Sequence, residues 1–371
     1  MKINAKLLPE RLLVAIFFFY MEWFREIWGN QQVVLYGIVA LLTGFVIARI
    51  VCDLKFNIGA IPPVLKMYMI YFLYSLSGFF VARDHELFVS SLITYGCFVI
   101  VCFDCWYISS KMGNNNWLYG VFRLVAVVCA LQVILAGQPY YNGIIVTTMS
   151  KTNNPNALAF VLVIGILAFA IGMNLKKQSA FFITVIAVAM MLYGIVLTGS
   201  RKCLLVAVPI VAFWLFTYVT TMRKEHRHKQ LLVSMLVIGV AFAICAGYIR
   251  SSFTSSAAFE RLMQLFSEGG TDTRESLYRD SFEFFKNSPI IGIGFNQYRV
   301  WSSYGFYSHS SYAEILSCGG ILGVLIFFVP LIKPYSLIIE KAFEFRYLCL
   351  YRAFRRSSDN ASAVYAGVKV D

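Results

Sequence analysis

Ser308 to Gly323 reads S-H-S-S-Y-A-E-I-L-S-C-G-G-I-L-G, a polar segment running into a glycine-bearing apolar helix. Ser311 followed three residues later by Glu314, just before an apolar run, is a capping-box signature that predicts a helix starting near Tyr312. His309 then lies beside the helix N-terminus. Unpaired N–H groups and the macrodipole make such an end receptive to anions and favour the neutral form of a nearby imidazole, which can accept a proton. Base chemistry on an anionic substrate fits this stretch, and so does a well-capped packing helix beside a solvated histidine. Gly319 and Gly323 form a G-x-x-x-G spacing that lets another helix approach closely.

Outward from this stretch, the chain is scaffold for a membrane. Of 371 residues, 59% are hydrophobic and 14% charged. A soluble chain of this length carries nearer a quarter charged residues and lacks repeated apolar runs of about 20. Such runs fall at 8–28, 32–52, 62–82, 87–108, 117–137, 155–174, 180–198, 201–221, 230–250 and 312–332. They predict an all-α, polytopic transmembrane helix bundle of about ten spans, forming a single integral-membrane domain over 1–371. Nucleic acid is a poor explanation of the net charge of +13, because the basic residues cluster in loops between apolar runs, where topology demands them. Most of the nine cysteines lie in or at the ends of those runs and read as small hydrophobes. Cys102 and Cys105 form a lone C-x-x-C around Asp104 with no second pair or histidine nearby, so no metal site is expected.

Orientation follows from charge in the short loops. Arg49, Lys55, Lys111, Lys176, Lys177, the run from Arg223 to Lys229 and a basic tail at 333–371 mark one side as cytoplasmic, together with the N-terminus. His226 and His228 belong to that basic run and read as topogenic. The R-D-H-E loop from Arg83 to Glu86 lies opposite and reads as an ordinary polar connection. Three polar features share that outer side: K-T-N-N-P-N from Lys151 to Asn156, the T-G-S-R-K turn from Thr198 to Lys202, and a long loop at 250–311. Loops of such length are uncommon and usually functional. Within it, R-E-S-L-Y-R-D-S-F-E-F-F-K predicts an amphipathic helix with Tyr278, Phe282 and Phe285 on one face. It is followed by the glycine-punctuated turn P-I-I-G-I-G-F-N-Q-Y, which is no dinucleotide fingerprint. Arg201 sits at the junction of two apolar runs. Its guanidinium can snorkel to the interface, or its planar fork can bind a diphosphate.

These residues resemble the O-antigen ligase and polymerase superfamily of bacterial membrane glycosyltransferases. The resemblance rests on Arg201-x-x-x-Leu205 at an outer helix end, the late outer loop, and His309-Ser310 followed after nine residues by Gly320-x-x-Gly323. N-S-P-I-I-G-I-G-F-N-Q-Y and N-N-P-N-A-L-A are similar to the family as well, so the likeness covers about 140–332. Serine replaces the more usual asparagine at 310. The family continues past its glycine motif with further spans, whereas here Lys333-Pro334 stops the helix.

The resemblance implies a GT-C-like bundle that transfers a glycan from an undecaprenyl-diphosphate carrier to an acceptor glycan hydroxyl. The reaction would occur at the outer face of the bacterial inner or plasma membrane, with inversion, without metal and without cofactor. It implies His309 as base or orienting group, Arg201 with Arg274 or Arg279 on the diphosphate, Ser311 and Glu314 as a cap, and Gly319, Gly320 and Gly323 as packing positions. The bilayer and the lipid-linked oligosaccharide are the expected partners, with other polysaccharide-assembly proteins as candidates. A polymerase of repeat units is favoured over a ligase, which differs in acceptor. A transporter is the rival of another class, although no convincing repeat relates the two halves.

Overall fold

A computed structural model describes residues 7–21, 32–53, 57–135, 140–141, 144–146, 151–152, 155–172, 178–198, 200–224, 273–308, 310–332 and 336. The helices are α1 (Leu8–Phe19), α2 (Gln32–Asp53), α3 (Pro63–Ser75), α4 (His85–Met112), α5 (Asn116–Leu135), α6 (Pro155–Gly172), α7 (Gln178–Thr198), α8 (Arg201–Lys224), α9 (Thr273–Asn287) and α10 (Tyr298–Trp301). They are completed by α11 (Ser311–Ile332). Every apolar run that falls on described residues is helical, while the run at 230–250 lies outside them. Among the described residues, α2, α4, α5, α7, α8 and α11 are the six helices long and apolar enough to cross a membrane, and α6 contributes a shorter apolar stretch, Asn156–Ile171. Exposed side chains on these helices are as apolar as buried ones, Leu205 and Phe160 among them. Helices that are apolar all round face lipid. This is a multi-pass membrane protein.

The chain forms two compact units, Met1–Phe56 with Ile100–Thr271, and Asn57–Val99 with Asp272–Asp371. In the first, α5, α6, α7 and α8 share a core of Ala126, Ala130, Leu162, Ile166, Met191, Ile195 and Ala207. Small residues set its spacing: a Cβ on Gly165 would fall 2.2 Å from that of Ala126. A three-stranded antiparallel sheet, β1 (Tyr140–Tyr141), β2 (Ile144–Val146) and β3 (Lys151–Thr152), precedes α6. Two buried acids are partnered in this unit: Glu10 pairs with Arg49, and Asp104 accepts from the Thr43 hydroxyl at 2.9 Å. A carboxylate inside an apolar bundle needs such a partner.

In the second unit the run at 62–82 is not one continuous span. After Ser75 it tightens into a 3-10 turn, Leu76–Phe80. The hydroxyls of Ser75 and Ser77 bond back to the carbonyls of Tyr71 and Tyr74, and Gly78 lets the Gly294 backbone approach, since a Cβ there would lie 3.0 Å from the Gly294 Cα. On α9 the packed face is Leu277, Ser281 and Phe284, set against Tyr298 and Trp301. The expected aromatic stripe lies on another face: Tyr278 and Phe282 are exposed, and Phe282 stacks on Phe285. Of the outer loop expected at 250–311, residues 250–272 lie outside the described part. Residues 273–308 fold into α9, a tight turn and α10.

Candidate functional site

The turn at 288–297 is built against α11 by backbone hydrogen bonds. Within α11, Gly320 takes φ +60, outside the helical region. The N–H groups of Ile321 and Leu322 donate to the carbonyls of Pro289 (2.9 Å) and Ile290 (3.2 Å). The carbonyls of Ser317 and Cys318 accept from Ile293 (2.9 Å) and Gly294 (3.1 Å). In a regular helix these donors and acceptors would bond to one another, four residues apart. Here an incoming chain satisfies them, which answers the requirement that backbone groups in an apolar setting be paired. The glycines permit the crossing. A Cβ on Gly320 would meet the Ile290 carbonyl oxygen at 2.5 Å, and one on Gly292 (φ +74) would meet the Cys318 carbonyl at 2.4 Å. The Tyr74 hydroxyl ties both segments, lying 2.5 Å from the Gly319 carbonyl oxygen and 3.3 Å from that of Ile291. Gly319 and Gly323 face the rings of Tyr71 and Tyr74.

The cap of α11 is shifted by one residue from the expected Ser311. Ser310 supplies it, its Oγ accepting the Ala313 N–H at 3.4 Å and its carbonyl the Glu314 N–H at 2.9 Å. Glu314 reaches past the cap. One carboxylate oxygen accepts both the N–H (2.9 Å) and the hydroxyl (2.7 Å) of Ser308, which is fully buried. The residues on either side of position 309 are thereby fixed to the first turn of α11. His309 itself lies outside the described residues.

Arg201 is the first residue of α8, and its side chain also lies outside them. Its surroundings are described. Thr198 closes α7 with its hydroxyl on the Ile195 carbonyl (2.6 Å), and the Ser200 carbonyl accepts the Leu204 N–H (3.1 Å), so α8 begins at Arg201. The N–H groups of the first turn have no intrahelical acceptor, and Lys202 beside them is exposed. The Ser200 hydroxyl is buried and bonds to no described residue. The start of such a helix favours negative charge. On α9, the Arg274 side chain is outside the described residues. Arg279 is exposed and lies 3.7 Å from Glu275, a surface pair of little energetic weight.

Two elements beside α11 were missed in the sequence. The first is Gln297, fully buried, which accepts the N–H groups of Arg83 and Asp84 ahead of α4. The second is the Ser308–Glu314 clamp. A glutamine or serine inside an otherwise apolar, glycine-bearing stretch is the signal that could have found both.

Residues 186–328 match a family model described as O-antigen ligase. The matched span runs from α7 into α11 and includes Arg201, Leu205, His309, Ser310, Gly320 and Gly323. Over this segment, less than half of the chain, the protein is similar to the O-antigen ligase family. Among the curated proteins compared, none matches the chain.

Proposed function

We propose that this chain, a membrane protein carrying an O-antigen ligase segment, is a polysaccharide polymerase that transfers glycan repeat units from undecaprenyl diphosphate to an acceptor sugar. The family match carries the reading, because one matched segment contains both the arginine at a helix start and the histidine motif. In this reading the acceptor hydroxyl attacks the anomeric carbon from the face opposite the diphosphate, giving inversion. The C–O bond to the diphosphate breaks, and its electron pair leaves on the phosphate oxygen. His309 takes the hydroxyl proton or orients the hydroxyl. Arg201 and the start of α8, with Arg274 or Arg279, stabilise the departing charge as fixed cations, a role that a metal fills elsewhere. About ten spans, a cytoplasmic N-terminus and a site at the outer face of the bacterial inner or plasma membrane complete the proposal. Other polysaccharide-assembly proteins are its candidate partners.

The description of the matching family favours a second reading, a ligase that delivers glycan to a separate lipid or protein acceptor. Purified protein, the lipid-diphosphate-linked repeat unit from the producing cell and a chelator separate the readings. A product ladder is expected for the polymerase, and a single addition to a separate acceptor identifies the ligase. Movement of the carrier across the bilayer with no new glycosidic bond contradicts both and favours a transporter.

A further inference from the structure

Arg83, in the R-D-H-E connection before α4, has a setting that its sequence does not announce. Gln297 holds the backbone at this point: its side-chain oxygen accepts the N–H groups of Arg83 (3.0 Å) and Asp84 (2.9 Å), and its Nε2 donates to the Asp84 carbonyl (3.0 Å). Gln297 is fully buried, so the anchor is rigid. From it the Arg83 guanidinium extends over the Trp301 ring, its central carbon 3.3 Å from the ring centre. Stacking uses the face of a guanidinium and leaves its N–H edge available. That edge makes no hydrogen bond or ion pair with any described residue.

Among the described residues of the same unit, four carboxylates are engaged elsewhere. Asp84 caps α4 through the Leu87 N–H (2.8 Å), Asp280 accepts from Ser302 (3.2 Å), Glu314 holds Ser308, and Glu283 pairs with Lys286. Glu86, three residues on, makes no ion pair with Arg83, whose guanidinium has no carboxylate partner among the described residues. Trp301 contributes a second donor with no acceptor, since its Nε1 is buried and unpartnered among the described residues. Trp301 also opens W-S-S-Y-G-F-Y-S-H, the segment that ends at His309. An arginine fixed in place by a buried side chain, with its fork unfilled, is organised for a planar oxyanion.

We propose that Arg83, stacked on Trp301, binds an oxyanion of the lipid-linked glycan, either a phosphate oxygen of the carrier diphosphate or the carboxylate of an acidic sugar. The identity of the ligand rests on the glycosyl-transfer reading; the site rests on the geometry. Its test is direct binding of inorganic pyrophosphate and of glucuronate to the full chain in nanodiscs, measured apart from catalysis. Arg83→Gln is expected to weaken at least one probe by about tenfold, the loss of a charge-assisted fork. Arg83→Lys, which keeps the charge without the fork, recovers only part. A loss for pyrophosphate identifies the carrier diphosphate as the source, and a loss for glucuronate identifies an acidic sugar. If Arg83→Gln fails to fold, Arg83→Met, whose unbranched stem still covers the indole, carries the same expectation. Wild-type affinity for both probes in a folded neutral variant overturns the site, whether or not the protein transfers glycan. Arg83-dependent binding in a protein that transfers nothing leaves the site standing and removes the transfer reading.

Discussion

Ser308 gives both its N–H and its hydroxyl to one oxygen of Glu314, and it does so while fully buried. Removing that oxygen strands a buried donor, which costs about 1–3 kcal/mol. Glu314→Ala is therefore expected to lower unfolding stability by about that amount, and Glu314→Gln, which keeps one acceptor, by less. Chemical unfolding of the purified protein checks the order. Tyr74→Phe removes the hydroxyl beside the Gly319 and Ile291 carbonyls and is expected to cost about 1 kcal/mol in the same measurement. At this scale the S-x-x-E pattern located the start of α11, but not the bond that the glutamate makes. Three serines within reach of one carboxylate, at 308, 310 and 311, are equivalent on paper. Burial of Ser308 selects among them, and burial is a property of the fold.

The element that joins the candidate site to its support is α11 at Gly320, where the 288–297 turn supplies the backbone bonds that the helix forgoes. Gly320→Ala and Gly292→Ala would each place a methyl inside 2.6 Å of backbone atoms at a positive φ. Both are expected to cost well over the roughly 1–2 kcal/mol of the left-handed conformation alone. Gly305→Ala, at φ +70 with nothing within 4 Å, is expected to cost only that conformational term. Thermal unfolding of the three variants under one condition ranks them; equal losses would contradict the crossing. P-I-I-G-I-G-F-N-Q-Y was legible as a glycine turn from its composition. Its pairing with α11 was not, because two segments that exchange backbone bonds leave no side-chain pattern. The packed face of α9 was not legible for a related reason. Aromatics at Tyr278, Phe282 and Phe285 have the same helical spacing as Leu277, Ser281 and Phe284. Beside a membrane, an aromatic face need not be the packed one.

For the whole molecule, the membrane class was written in the sequence, because runs of spanning length have few soluble explanations. The division into two units was not, since apolar helices carry the same composition whichever neighbour they pack against. Orientation is a claim about the whole chain and is testable as such. In a variant freed of native cysteines, Tyr304→Cys is expected to react with a membrane-impermeant maleimide in intact cells. Asn114→Cys, in the connection between α4 and α5, is expected to react only after permeabilisation. The reverse pattern would invert the topology and move the proposed chemistry to the cytoplasm.

The most direct measurement is glycan transfer by the wild-type protein, His309→Ala and Arg201→Lys, using the cognate lipid-diphosphate-linked repeat unit. The account predicts that His309→Ala lowers the transfer rate by about 10²–10⁴-fold, the usual worth of a positioned proton acceptor. It also predicts that Arg201→Lys weakens transfer because an ammonium cannot reproduce the paired donors of the fork. Transfer at the wild-type rate by folded His309→Ala would contradict the assignment at its centre.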